Sequence, residues 1–288
     1  RTDDVTTALY STDASLYEIK PVAVAFPKHT ADVATLATFA SDNKIPLIPR
    51  GAGTGLAGGC LGAGIVVDFS RHMNQLVSIQ GDTVRVQPGM TLAALNAQLK
   101  EHGQYFAPDP SNSAITTIGG MIGVDAAGSH AFRVGSTRDH IQSVQCVLIG
   151  GQVLELGRED AHDEYSIHQP VTFVQQPPIR SAGVIPPVRN ENLALSALTA
   201  ATRKADLIER LSAVLKESAD AIKEHQPPLF RNCSGYMLRG ILNSQRLDFP
   251  RLIAGAEGTL GMVTEVTLHT MPISRFRGMT VLMFGSMD

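Results

Sequence analysis

Cysteine, net charge and long apolar runs are all scarce in this chain of 288 residues. Its three cysteines, Cys60, Cys146 and Cys233, lie far apart, form no C-x-x-C pair and are odd in number. That argues against a disulfide framework or a cysteine zinc site and makes a reducing, cytoplasmic setting the default. The nine histidines are scattered. His162 and His168 come nearest to a pair of ligands, but no cysteine or carboxylate arrangement completes a metal site around them. A formal charge of −3 argues against nucleic acid as the main partner. No apolar run approaches the roughly 18 residues of a membrane helix, so no span is expected. The opening Arg1-Thr2-Asp3-Asp4 is polar, unlike a signal peptide, and the missing initiator Met suggests a fragment of a longer chain. Hydrophobic residues make up 43%, enough for one large domain or two small ones.

Glycine is what the chain has in concentrated form. Pro49-Arg50-Gly51-Ala52-Gly53-Thr54-Gly55-Leu56-Ala57-Gly58-Gly59 follows the strand-like Ile45–Ile48 and holds five glycines. Such a backbone can turn its N–H groups onto an anion, and a pyrophosphate is the usual occupant. Gly53, Gly55 and Gly58 spell G-x-G-x-x-G, the core of a Rossmann fingerprint and the basis of an NAD-dependent reading. That fingerprint also requires a helix opening at the third glycine and an acidic residue about 20 positions on. Here the chain runs instead into Ile65-Val66-Val67-Asp68, and Asp68 comes too early. The stretch reads as a phosphate-cradling loop between two strands.

Val22–Phe26 predicts a strand, Thr30 a helix cap, and Val33, Leu36, Ala37 and Ala40 the face of a helix ended by Asn43. Val84–Gln87 alternates like a strand. Thr91 predicts a cap for a helix carrying Leu92, Leu95 and Leu99. A second glycine-rich stretch runs from Pro108 to Gly135. Val144–Ile149 and Val153–Leu156, around Gly150-Gly151, predict a hairpin with a two-residue loop. Residues 157–190 are rich in Pro, Gln and Arg and read as an insertion or exposed loop. Residues 191–225, with Leu207, Leu211, Val214 and Leu215 at helical spacing, read as one or two helices. A third glycine stretch, Gly255–Gly261, enters the alternating strand Met262–His269, and Met279–Phe284 is strand-like again. Three glycine stretches, each beside a strand, suit one long ligand such as a dinucleotide.

The set Arg50–Gly55, Pro108-Asp109-Pro110-Ser111 with Thr117–Gly120, and Glu257–Gly261 resembles the FAD-binding domain of the PCMH-type flavoprotein family. That family includes vanillyl-alcohol oxidase, glycolate oxidase flavoprotein subunits, D-lactate dehydrogenases and D-2-hydroxyglutarate dehydrogenases. The resemblance covers roughly residues 5–275. Arg231–Tyr236 and the long insert look most like the large bacterial D-lactate and D-2-hydroxyglutarate dehydrogenase-like members, which often carry an iron–sulfur region far downstream. The resemblance implies an α+β fold of two subdomains clasping non-covalent FAD. They would span residues 1–72 and 73–275, with an insertion at about 157–230, and 276–288 would begin a substrate cap absent from this chain.

Carried over by position, Arg50, Gly51, Ala52, Gly53, Thr54 and Gly55 would wrap the pyrophosphate, with Gly58 and Gly59 keeping side chains clear. Pro110, Ser111, Thr117, Gly119 and Gly120 would line the flavin path. Gly123, Ala127 and Gly128 would extend that wall, and Gly135 would follow it. Val144 would lie near the adenine, and Glu257, Gly258, Gly261 and Val263 would close the pocket. The family usually has serine where Ala256 stands, and many relatives read Asn-Ala-Gly-Gly where this chain has Asp125–Gly128. Residues 50–60 contain no histidine of the kind that tethers FAD in some relatives.

The implied chemistry is oxidation of a D-2-hydroxy acid (D-lactate, glycolate or D-2-hydroxyglutarate type) by hydride transfer to FAD, with an electron-acceptor partner. No catalytic base is nominated, because in such members the substrate groups come mostly from the cap. Arg133, Arg231 and Asn232 are read as solvated or structural. The alternative of another class is an FAD module within an electron-transfer complex, without a substrate site of its own.

Overall fold

The computed structural model describes residues 1–161, 190–226, 229, 234–243, 246–276, 278, 280, 281, 283 and 285, with the backbone alone over 190–200. His162, His168, Arg231, Asn232, Cys233 and half of the Met279–Phe284 run lie outside the described residues. Among those described, no helix is long and apolar enough to cross a membrane, and no three His, Cys, Asp or Glu side chains are grouped to hold a metal.

The chain opens with α1 (Asp4–Leu9) and then builds a small parallel sheet from β1 (Ala23–Ala25), β2 (Leu47–Arg50) and β3 (Ile65–Asp68) in the order β1-β3-β2. The central β3 is buried at every position, as its unbroken Ile-Val-Val run requires of a strand covered on both faces. Helix α2 (Thr30–Asp42) makes the crossover between β1 and β2 and buries Val33, Ala37 and Ala40, one residue per turn. Thr30 is the first helical residue, one position later than its expected role as cap. Asp32 reaches back to the N–H groups of Lys28 (2.8 Å) and His29 (3.0 Å), which starts the helix one residue earlier. The Thr30 hydroxyl is thereby freed to donate to Gln145 Oε1 (2.9 Å).

A five-stranded antiparallel sheet follows, from β4 (Leu76–Gln80) and β5 (Thr83–Val86). Next come α3 (Leu92–Lys100), β6 (Gln104–Tyr105), α4 (Ile118–Gly123) and α5 (Ala131–Val134). A 3₁₀ turn (Thr137–His140) leads to β7 (Ile141–Val147), β8 (Val153–Leu156) and β9 (Arg158–Asp160). Then come α6 (Asn190–Glu217), α7 (Ala219–His225), β10 (Arg246–Asp248), α8 (Phe249–Ile253), β11 (Met262–His269) and β12 (Met271–Pro272). The sheet order is β4-β5-β11-β7-β8. Burial alternates strictly along β11, so one face carries the main core, with Val266 and Leu268 meeting Leu95, Leu99, Ile118 and Met121. The loop between β7 and β8 has three residues, not two, because Leu148 N–H still pairs with the Gln152 carbonyl (2.8 Å). Among the described side chains of α6 the buried ones are Ile208, Ser212 and Leu215, whereas Val214 is 57% exposed. The long insert leaves through β9 and returns through β10, an antiparallel pair joined by Arg158 and Asp248 at 3.0 Å. Its ends are therefore held together, so its length is of little consequence for the sheet.

The two sheets meet through α2. Besides the Thr30 bond, Thr38 Oγ1 donates to the Gly150 carbonyl (3.2 Å). A second small core joins Val33, Ala37 and Val67 to Val147 and Met262 of the larger sheet.

Opposite the main core, Arg85 donates two bonds to Glu155 (3.0 and 2.9 Å) and one to Glu265 (2.5 Å). Burial works against ionisation of Glu155, but the bonds from Arg85 and from Ser143 (2.6 Å) more than offset this and hold its carboxyl below the usual range. A depressed native value stabilises the fold above the ordinary value of 4.5, and that contribution is lost as pH falls through the native value. Glu155 is 44% exposed, so screening limits the effect to on the order of 1 kcal/mol. Glu155→Gln is expected to lower Tm at pH 7 by about 2–4 °C. In Tm measured against pH, the variant and the wild type should converge in acid.

Candidate functional site

A cleft of about 420 Å³ lies where the two sheets face each other, and all three glycine stretches open onto it. The first leaves the end of β2 and crosses to β3 without forming a helix. Gly58 therefore opens no helix, as a dinucleotide fingerprint would require. Asp68 is equally committed. Its carboxylate accepts from Tyr10 Oη (2.5 Å), Ser70 N–H (2.8 Å) and Ser70 Oγ (2.6 Å). Burial, reinforced by that Asp68 bond, raises the Tyr10 phenol above its ordinary range.

The stretches touch each other. A Cβ on Gly51 would lie 2.1 Å from Thr117 Oγ1, the hydroxyl that caps α4 by accepting from Gly120 N–H (3.2 Å). A Cβ on Gly258 would lie 2.2 Å from Pro49 Cγ, and Gly258 has φ +78°. Glycine is the residue that admits both approaches. Backbone bonds join the second stretch to the third, from Gly255 N–H to Ile122 O and from Glu257 N–H to Gly123 O, each 2.9 Å.

The second stretch contains the helix α4, where the sequence reads as loop. Its three glycines disfavour a helix. Burial of Ile118, Met121 and Ile122 on one face, and the bond from Gly119 N–H to Pro88 O (2.7 Å), override that preference. Upstream, Asp109 accepts from Ser129 Oγ (3.1 Å) and pairs with His130 Nδ1. Burial opposes ionisation of Asp109, but His130 and Ser129 outweigh it and keep the carboxyl below the usual range. Asp125 is buried at φ +48°, accepts from Arg138 N–H (2.9 Å) and faces the Arg138 guanidinium at 3.5 Å. An acidic residue in place of the family's usual asparagine is thus matched by a buried arginine. In the third stretch the Ala256 carbonyl accepts from Thr259 Oγ1 (2.6 Å), so a threonine hydroxyl closes the turn where the family usually has serine at 256.

Of the residues expected at a cofactor, Arg50 through Gly55, Gly59, Pro110, Ser111, Thr117, Gly119, Gly120, Gly123, Glu257, Gly258, Gly261 and Val263 line the cleft. Arg50 contributes its position rather than its charge. Its guanidinium donates to the carbonyls of Thr12 (2.8 Å) and Tyr10 (3.4 Å) and lies over the Tyr10 ring at 5.0 Å.

Five expected residues lie outside the cleft lining. Val144 is fully buried between Val266 and Leu156, on the core face of the sheet. Gly58 rests against Tyr17 and Gly128 against Asp109, with Ala127 beside it. Gly135 ends α5 beside Asp139. Arg133 is exposed on the same short helix.

The sequence reading missed Asp13, which lines the cleft together with Cys60, whose Sγ donates to Asp13 Oδ2 (3.4 Å). It also missed the apolar wall formed by Ile122, Ile253, Leu260 and Met262. Burial and the Asp13 bond push the Cys60 thiol up to about 11, against the opposing charge of Arg50. The signal for Asp13 was its place in an Asp-x-Ser turn, where its carboxylate accepts from Ser15 N–H (2.7 Å).

A cleft lined by glycine stretches and by an apolar wall fits a dinucleotide carrying a flat ring system. Residues 21–157 match the model of the FAD binding domain family. Among curated proteins it is 35% identical over 285 residues to D-2-hydroxyglutarate dehydrogenase of Pantoea ananatis, covering 96% of this chain and 25% of that protein. It is 34% identical to the Escherichia coli protein of the same name, with the same coverage. Glycolate oxidase subunit GlcD of Bacillus subtilis is 35% identical over 159 residues, 54% of this chain and 34% of that one. The chain thus spans about a quarter of the length of the two dehydrogenases. The fold is shared with a solved alkyldihydroxyacetonephosphate synthase at TM-score 0.59 and 17% identity, over 96% of this chain and 41% of that one.

Gly258→Ala is expected to destabilise the fold by about 1–3 kcal/mol in urea unfolding, through its backbone conformation and the Pro49 contact. Gly55→Ala, where a Cβ meets no atom within 4 Å, should leave stability within about 0.5 kcal/mol.

Proposed function

We propose that this chain is the FAD-binding part of a flavin-dependent dehydrogenase that oxidises a D-2-hydroxy acid of the D-lactate, glycolate or D-2-hydroxyglutarate type. The observation that carries the reading is the convergence of three distant glycine stretches on one cleft. The names of the similar proteins support the substrate class.

In this reading the backbone of Gly51–Gly55 and Gly59 holds the pyrophosphate. Pro110, Ser111, Thr117, Gly119 and Gly120 hold the flavin side, and Glu257, Gly258, Gly261 and Val263 close over the remainder. Bound FAD supplies a two-electron acceptor. This chain's own residues bind and orient it and exclude water from it. Two side chains that line the cleft are acidic, Asp13 and Glu257, and the Arg50 guanidinium is engaged elsewhere. The pyrophosphate is therefore held by peptide N–H groups rather than by cations. A thiol held protonated at neutral pH makes Cys60 a poor nucleophile, which supports non-covalent FAD.

Among the described residues the cleft is lined by no histidine or lysine. We assign the base for the substrate hydroxyl and the cation for its carboxylate to a cap, and any iron–sulfur cluster to a further region of the full-length protein. The same observation favours the second reading, an electron-transfer module without a substrate site. In the full-length protein, bleaching of the flavin band by a D-2-hydroxy acid supports the dehydrogenase, and its absence with every such acid supports the module.

The purified chain, loaded with FAD and desalted, should keep absorption bands near roughly 375 and 450 nm. Gly55→Ala should lose them while remaining folded, because the added methyl enters the cofactor's space. Loss of the bands from the wild type would count against FAD. Cys60 should react slowly with iodoacetamide at pH 8, faster as pH rises toward its value of about 11, and slower again with FAD bound. Peptide mass mapping reads this at Cys60 alone, and equal labelling with and without FAD would remove Cys60 from the site.

A further inference from the structure

Behind the cleft, turned away from it, lies an ion pair between groups only 1% and 4% exposed, the Asp125 carboxylate and the Arg138 guanidinium. Arg138 Nη2 also donates to the Ala254 carbonyl at 2.7 Å, across a sequence separation of 116 residues. The backbone N–H of Arg138 donates to Asp125 Oδ1 at 2.9 Å. One nitrogen of the guanidinium, Nη2, therefore contacts both Asp125, just after α4 in the second glycine stretch, and Ala254, just before the third.

We propose that Arg138 is a positioning residue for the cofactor, setting the separation of the second and third stretches and hence the width of the FAD cleft. The inference rests on the reading that the cleft binds FAD. The residues gripped alternate with residues that line the cleft. Asp125 faces Arg138 while Ala126 lines the cleft, and Ala254 and Gly255 face Arg138 while Ala256 and Glu257 line it. A shift of the pair moves both walls.

The neighbouring contacts serve the same end. The Ala126 carbonyl accepts from Thr137 N–H (2.9 Å) and Thr137 Oγ1 (2.7 Å), so the whole 3₁₀ turn acts as a base plate for the second stretch. Asp125 holds φ +48° and Glu257 φ +51°, conformations that a non-glycine residue keeps only where its surroundings enforce them. The two strained residues flank the grip, one on each stretch.

The test uses the whole chain, with two readouts: the FAD Kd from quenching of flavin fluorescence, and the Tm of the FAD-free protein. Arg138→Met is expected to raise Kd about tenfold or more, because it removes both arms of the grip. Arg138→Lys, which keeps the charge but ends in a shorter, compact ammonium that does not reach the Nη2 position in the same direction, should raise Kd by about threefold to tenfold. The visible circular dichroism of bound flavin should change with both variants, as the ring is held differently. A lowered Tm with an unchanged Kd for Arg138→Met would overturn the inference, leaving a structural pair only. If Arg138→Met does not fold, Arg138→Lys decides, and wild-type affinity in that variant overturns the proposal. Failure of the wild type to bind FAD defeats the reading of the cleft itself, a result distinct from either variant's.

Discussion

Three segments of chain approach each other here more closely than side chains allow. Pro49 meets Gly258 and Thr117 meets Gly51 at distances where a single added carbon would overlap its neighbour. Everything else in the fold delivers those segments to that point. The parallel sheet ends β2 at Arg50, the sheet of β5 and β11 carries the chain to Pro88 and Thr117, and α8 brings in Ala256. Close packing of glycine against the Pro49 and Thr117 side chains leaves glycine backbone as one wall of the cleft, beside the apolar wall of Ile122, Ile253, Leu260 and Met262. The glycine wall is the surface an extended anion needs.

The electrostatics follow from the same economy of side chains. A cleft that held a pyrophosphate by arginine or lysine would need charged side chains pointing inward, and the glycine stretches leave little room for them. The Arg50 side chain is drawn to the carbonyls of Tyr10 and Thr12, where it ties the N-terminal segment to the loop. The Asp13 carboxylate is occupied with Ser15 and Cys60. The charges of Arg50 and Asp13 are thus engaged locally, which leaves the anion of the proposed cofactor to peptide N–H groups. The match of residues 21–157 to the FAD binding domain family agrees with this chemistry. The similar dehydrogenases are about four times as long as the matched region, which places most of their length outside the unit described here.

Two sheets on either side of a cleft must also be held at the right distance. The contact of α2 with Gln145 and Gly150 fixes one sheet against the other on the side away from the cleft. Arg138 and Asp125 fix the second stretch against the third. A buried ion pair is weak evidence for stability, because desolvation offsets most of its attraction. Its value here lies in geometry, since one buried nitrogen with partners on two segments tolerates few arrangements.

Much of this was legible in the residues. The alternation of Met262–His269 marks a strand with one buried face, because successive side chains point to opposite sides. Thr91 with Leu92, Leu95 and Leu99 marks a capped amphipathic helix, because both signals act within a turn or two. The glycine stretches declared themselves by composition alone. What stayed hidden depends on partners distant in sequence. Helix α4 forms against its own glycine content because Pro88 and the main core hold it. The Asp13–Cys60 bond spans 47 residues, and the bond from Arg138 to Ala254 spans 116. Sequence alone therefore determined which segments could lie close to a ligand, since that is a local property of small residues and turns. Tertiary structure decided which of them meet, because a contact between remote residues exists only when the intervening chain has folded to bring them together.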